Sequence, residues 1–398
     1  MSNLRMRPLG LLLCTLFALP AGAGTGDALQ LIAKAAYGHD DNLLRVPDGL
    51  PAFDGTRADS WWQREGGLIF DNTYGRQRIS AVARLSKYEY HHFRQLNYDG
   101  KDLQATWFWQ LGSHLDGKIG TSHEQVLAPY TDFYSSERNL SRTRSRFVDG
   151  GWRFHPSWRA RAGVQRDRYE HALSGQRFND RTENAVEAEL DYMPASGSTL
   201  GLVARRVRGD YPYLRPVGPF LFDDDFTQDE LKARVLWVAT GATTVDALVG
   251  TTRRDQPSYG RGKTRGVTGR ISATYKPRGK TTFDAALWRD FAPLESTIVS
   301  HTLNRGASLG AGWEATARIR LNANAAFERR RYGTRVPSAA SGPIRDALRT
   351  GSLGATWSPR PAVQVSAGLV HQARSGSPVL GTGSFRSNSA TLSVGVQF

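Results

Sequence analysis

From residue 317 to residue 327 the chain alternates without interruption. Ala317, Ile319, Leu321, Ala323, Ala325 and Phe327 fall on one face, and Arg318, Arg320, Asn322 and Asn324 on the other. A period of two belongs to a strand whose two faces meet different surroundings. The pattern returns along the chain. Val186, Ala188, Leu190 and Tyr192 oppose Glu187, Glu189 and Asp191, and Ile79, Ala81, Ala83 and Leu85 share a face. At the end, Ala390, Leu392, Val394, Val396 and Phe398 oppose Thr391, Ser393, Gly395 and Gln397. One such strand suits an ordinary soluble core. Many strands with charge on alternate positions do not, because unpaired charge is costly to bury. A closed barrel in a membrane removes the conflict. Lipid takes the apolar face, a water-filled lumen takes the polar one, and every backbone group is paired.

A second regularity gives the strand count. Phe70, Trp109, Phe154, Tyr192, Trp237, Tyr275, Trp313 and Trp357 each stand beside a tight polar or proline turn, at intervals of 39, 45, 38, 45, 38, 38 and 44 residues. Each interval holds two membrane-length strands of about 9–11 residues, with a turn and a loop. A propeller blade of similar period needs four strands in that length. Eight turns join sixteen strands, and one strand before them (Leu29 to Tyr37) and one after (Ser387 to Phe398) make 18. The predicted fold is all-β: a single transmembrane antiparallel β-barrel of about 18 strands with periplasmic termini. The aromatic marks predict an interfacial girdle at the short-turn end.

The front of the chain sets the compartment. Arg5 and Arg7 precede a short apolar run, Leu9 to Leu19, and Ala21-Gly22-Ala23 fits a small-residue cleavage site. Residues 1–23 read as a signal peptide, too short to span, and residues 24–398 as the barrel. Cys14, the only cysteine, follows Leu13, whereas a lipoprotein signal wants a small residue there. Cleavage leaves a mature chain without thiol or disulfide. The net charge of +15 becomes +13 once Arg5 and Arg7 are gone. For an exported chain, such an excess points to anionic lipid or an acidic polymer rather than nucleic acid. The expected location is the outer membrane of a Gram-negative cell.

With the apolar face outward, the inward face carries Lys34, Arg84, Lys118, Arg144, Arg146, Arg159, Arg161, Arg205, Lys232, Arg234, Arg270, Arg318 and Arg320. Asp116, Glu187, Glu189, Asp191, Asp246 and Asp284 share it. This predicts a lumen positive overall, with Arg84, Lys118, Arg159, Arg161, Lys232, Arg234, Arg270, Arg318 and Arg320 along a path for an anionic solute. The plain alternative is that these charges pair with one another and hold water and shape. The loops 38–59, 128–141 and 209–230 are aromatic and acidic, which suits inward folding or stacking on sugar rings. Asp40 and Asp41, and Asp223 to Asp225, lack the alternating oxygen ligands of a calcium loop, so solvated acidic loops are the better reading. No hydrolase, zinc or phosphate-loop motif is present, and His39, His91 and His92 show no metal spacing. No enzyme, cofactor or metal is expected.

Particular stretches carry a resemblance. "AAYGHDDNLLRVPDG", "YEYHHFRQLNYDGKDLQATWFWQL", "WRFHPSWRARAGVQRDRYE", "GLVARRVRGDYP" and "FTQDELKARVLW" resemble the EpsL-type outer-membrane proteins of exosortase-associated exopolysaccharide operons. The likeness runs over residues 29 to 240. Beyond them it is carried by the hairpin pattern, and the loop from Tyr332 to Ala347 holds no motif of the family. The resemblance implies a part in making or exporting exopolysaccharide, with an acidic polymer conducted through the lumen. The implied partners are outer-membrane lipid, the anionic exopolysaccharide, the barrel assembly machinery and periplasmic polysaccharide-export proteins. Phe398 is similar to the terminal aromatic that such barrels present as an assembly signal. The architecture is also similar to alginate-export porins, a likeness of fold rather than of site. Two alternatives stand beside this reading: a general diffusion porin for anions or oligosaccharides, and a structural barrel that docks periplasmic export machinery.

Overall fold

The alternating runs become strands that share one wall. The structure, a computed structural model, describes residues 28–217, 219–256, 263–293, 299–334, 345–376 and 383–398. The expected signal peptide lies outside the described residues. The first half of the wall is β1 (Leu29–Asp40), β2 (Asp59–Tyr74), β3 (Gln77–Tyr90), β4 (Tyr98–Leu111), β5 (Leu115–Leu127), β6 (Leu140–His155), β7 (Trp158–His171), β8 (Arg181–Tyr192) and β9 (Thr199–Asp210). A small hairpin of β10 (Arg215–Val217) and β11 (Phe220–Phe222) stands on the next loop. The wall resumes with β12 (Phe226–Thr240), β13 (Thr243–Asp255), β14 (Lys263–Arg278), β15 (Thr281–Pro293) and β16 (Val299–Glu314). It ends with β17 (Ile319–Thr334), β18 (Arg345–Arg360), β19 (Val363–Ser375) and β20 (Phe385–Gln397).

Every wall strand pairs antiparallel with the next, and β9 pairs with β12. The sheet closes where β1 meets β20, from Ile32 opposite Gln397 to Asp40 opposite Ser389. The result is an 18-stranded closed barrel with no free edge. Among the described residues no helix is long and apolar enough to cross a membrane. All eight expected short turns lie at one end, with the start of β1 and the end of β20. Gly75 shows why glycine sits there. It is the first of two residues between Tyr74 and Gln77, and its φ of +61° is one that other residues reach only with strain. The strands overrun their expected limits at the other end. β1 continues through Asp40, and the first loop shrinks to residues 41–58.

The outward face is the lipid face. Leu309 stands in mid-strand yet is 67% exposed, and Leu353 and Leu369 resemble it. In water such a surface would drive aggregation; against hydrocarbon it is stable. Of the aromatic marks, Phe154, Tyr192, Trp237, Tyr275, Trp313 and Trp357 are exposed at the short-turn end and form an interfacial girdle, joined by Trp152 and Trp158, while Phe70 and Trp109 are half-buried. The protein sits in the outer membrane, with its long loops at the end opposite the short turns.

Phe398 continues the outward row of Leu392 and Val394 and is 72% exposed. Its backbone exchanges two hydrogen bonds of 2.9 Å with Leu31 across the seam. Deleting Phe398 is expected to lower the yield of heat-modifiable barrel on a gel. Channels that do insert should conduct as wild type does. A normal yield, or altered conductance, would contradict an assembly role.

Candidate functional site: a constriction at the outer mouth

The loop after β1 is built around a buried carboxylate. Asp40 accepts the backbone N–H of Asn42 at 2.8 Å, the Arg45 guanidinium at 3.0 Å and the Ser387 hydroxyl at 2.7 Å. Asn42 then clamps Val46, donating to its carbonyl at 3.0 Å and accepting its N–H at 2.8 Å. These bonds turn Leu44 and Val46 inward, where both are fully buried. They pack with Tyr90, Phe93, Leu96 and Tyr130, and Trp61, Tyr88 and Tyr98 lean on this cluster from the wall. A hydrophobic plug thus occupies the mouth inside β1 to β5. Asp59 anchors it from below, accepting the N–H groups of His92 and Phe93 at 2.9 and 2.8 Å.

The loop between β5 and β6 crosses from this plug to the far wall. Tyr130 stays in the plug, donating to the Glu137 carbonyl at 2.8 Å. Two residues on, Asp132 meets Arg330 of β17 in a two-pronged contact of 2.9 and 3.0 Å, and Arg374 of β19 at 3.2 Å. Counted round the barrel, β17 lies eight strand positions from β5. Thr131 accepts a further hydrogen bond from Arg374 through its carbonyl oxygen. Behind the two arginines sits Asp346, whose side chain is fully buried. It accepts from Arg330 at 2.9 and 2.7 Å, lies 2.6 Å from Arg374, and also takes the Tyr332 hydroxyl. Burial would raise the Asp132 carboxyl, but Arg330 and Arg374 outweigh it and hold the group below its ordinary value.

A third loop group rests on Arg215, which is buried. Its guanidinium donates to Asp224 at 2.5 Å and to Asn179 at 2.8 Å, and lies 4.3 Å from the Phe178 ring. The acidic loop residues therefore meet protein donors. Asp41 binds Asn388 at 2.7 Å, and Asp225 accepts the Tyr211 N–H at 2.6 Å. Among the described residues no cluster of His, Cys, Asp or Glu is placed to hold a metal ion.

The expected lumen residues divide differently than the sequence suggested. Arg84 bonds Asp102 at 3.0 Å, Lys118 and Arg161 flank Asp149 at 3.4 and 3.2 Å, and Lys232 meets Glu230 at 2.7 Å. Arg159 pairs with Asp116, Arg234 with Glu189, and Arg205 with Glu187 at 3.8 Å. Arg320 meets Glu314 at 2.7 Å. Arg270 forms no ion pair among the described residues and lies 5.4 Å from the Trp288 ring. Arg318 lies in the turn before β17, not on its inward face. Arg144 and Arg146 are corrected too. They share the face of the exposed Val148 and Trp152, so they point outward.

The prediction of a lumen positive overall is likewise corrected. Glu65, Asp102, Asp149, Glu230 and Glu314 also face inward, beside expected cations, and Glu328 and Asp346 face inward as well. The plain alternative, mutual pairing, describes most of the wall. The sequence reading missed Arg330, Arg374 and Asp132. Arg330 was legible by extending the 317–327 alternation past Phe327; Asp132 was not, because a loop residue has no period.

No family model matches this sequence, and no curated protein matches it. Solved structures are similar over nearly the whole chain. OccK2 (OpdF) of Pseudomonas aeruginosa aligns with a TM-score of 0.51 and 14% identity, covering 93% of this chain and 97% of that one. OccK1 (OpdK) of the same organism gives 0.51 and 14%, covering 93% and 98%. The OccK2 structure in complex with glucuronate gives 0.50 and 13%, covering 93% and 98%. At this identity the likeness is one of fold, and the chain has the fold of outer-membrane porins.

Proposed function

We propose that this barrel is a selective diffusion pore for small acidic or sugar-like solutes, with its selective step at the outer mouth. The carrying observation is the bridge from Asp132 to Arg330 and Arg374. A loop carboxylate closes the passage by occupying two guanidinium groups that also suit a solute carboxylate. An anionic solute at the mouth competes with Asp132 for that pair. The paired wall below offers many weak polar contacts, which favours passage over retention. Porins of the same fold support this reading, one of them solved with glucuronate.

Glucuronate provides the test. In planar bilayers it should produce current-blocking events, and Arg330→Gln with Arg374→Gln should abolish them. Blockade that survives the double change would overturn the proposal.

A second reading, export of an acidic exopolysaccharide, rests on the resemblance in residues 29 to 240. A deletion strain separates the two. Polymer trapped in the periplasm favours export, and lost uptake with normal secretion favours the diffusion pore.

A further inference from the structure

The outward face of β15 to β18 holds like charges in direct register. Arg289 of β15 stands opposite Arg305 of β16, and Arg305 opposite Arg329 of β17. Directly opposed residues on one face of a sheet have Cβ atoms about 5 Å apart, and like charges there repel. No outward position of the described residues in β15 to β18 holds an Asp or Glu, since Asp284, Asp290, Glu314, Glu328 and Asp346 all take the inward parity. Arg305 and Arg329 are exposed, and the Arg289 Nε is buried without a hydrogen-bond partner. A row of three guanidinium groups with no carboxylate is a site for a multiply charged anion.

The row also has a depth. Arg305 lies eight residues beyond the girdle residue Trp313, and Arg329 eight beyond Leu321. Eight residues are about 26 Å along a strand, or roughly 20 Å of depth at a tilt of about 40°. The arginines therefore begin at the outer edge of the hydrocarbon. Below them a groove of about 860 Å³ runs over the outward wall, lined by Leu321, Ala323, Leu353, Ala355, Leu369 and Leu392. Small residues between leucines leave room there for hydrocarbon chains.

We propose that this face binds the phosphorylated, multiply acylated glycolipid of the outer leaflet, the lipid A type. Its phosphates bridge the guanidinium row and its acyl chains fill the groove. A guanidinium matches a phosphate two-pronged, and each phosphate relieves the repulsion of two neighbours. The same logic accounts for much of the chain's basic excess. Most of the lumen charges are paired, whereas Arg146 opposite Arg166 repeats the outward pattern on other strands. The inference is independent of what passes through the pore.

The test is native mass spectrometry of the detergent-extracted full barrel with added lipid A or its dephosphorylated form. Wild type should retain lipid A and bind the dephosphorylated form far more weakly. Combined Arg289→Gln, Arg305→Gln and Arg329→Gln should weaken lipid A by about 100-fold, taking roughly five-fold per guanidinium at a lipid surface. Millimolar inorganic phosphate should not displace the lipid, since it brings no chains to the groove. Equal binding of the two lipids by wild type overturns the proposal, and that arm stands even where the triple variant fails to fold. So does displacement by phosphate alone, or a lipid-free dimer in which a second barrel covers the groove.

Discussion

Asp132→Ala is expected to raise single-channel conductance by roughly two-fold or more, because flow through a pore follows its narrowest section. The loop that carries Asp132 is held to the far wall by Arg330 and Arg374. Without the carboxylate those guanidinium groups lose their bridge, and the crossing segment loses its charged hold on the far wall, where the Thr131 carbonyl still accepts from Arg374. Proton concentration should act on the same bond. The Asp132 carboxyl titrates below its ordinary value, so its contribution to docking is complete above the usual carboxylate pKa of about 4. That contribution is lost as pH falls through the lower, docked value. Conductance should therefore be flat from about pH 8 to about pH 5 and rise only below about pH 4. Asp132→Ala should abolish the acid response. A wild-type transition near the ordinary histidine pKa of about 6.5 would assign the closure to another group.

Asp346→Ala should have the larger effect on stability. Asp346 holds Arg330, Arg374 and Tyr332 from a position without solvent contact. Removing it takes the buried carboxylate from two buried cations, and truncating one partner of a buried ion network costs about 3–5 kcal/mol. Asp132 is 24% exposed, so Asp132→Ala should cost only about 1 kcal/mol or less. Urea unfolding of both variants in lipid vesicles, followed by tryptophan fluorescence, compares the two. Equal losses would mean that Asp346 is no more central to the network than the loop residue.

These two residues also mark where sequence reading stopped. Arg330 extends the period-two pattern of β17, and its inward facing follows from Ile319 and Leu321 facing lipid. Asp132 lies 198 residues away on a loop with no repeat, so nothing local links the two. The inward charges balance for a related reason, which lies across the strands rather than along them. Cations on the strands with the clearest alternation meet cross-strand carboxylates, such as Asp102 opposite Arg84 and Asp149 opposite Lys118. Arg144 and Arg146 were misplaced because Gly150 and Gly151 break the alternation there, and register with Val164 restores it through Val148.

The barrel is legible along the chain: its strand number, antiparallel order, aromatic girdle and the end that carries the short turns. Each of these follows from short-range pattern along one backbone: side chains two residues apart mark the strands, and aromatics beside tight turns mark their ends. Which charges neutralise each other, which loop crosses the mouth and where like charges remain opposed appear only once the wall has closed. Those depend on closure and register, which bring together residues that no local period connects.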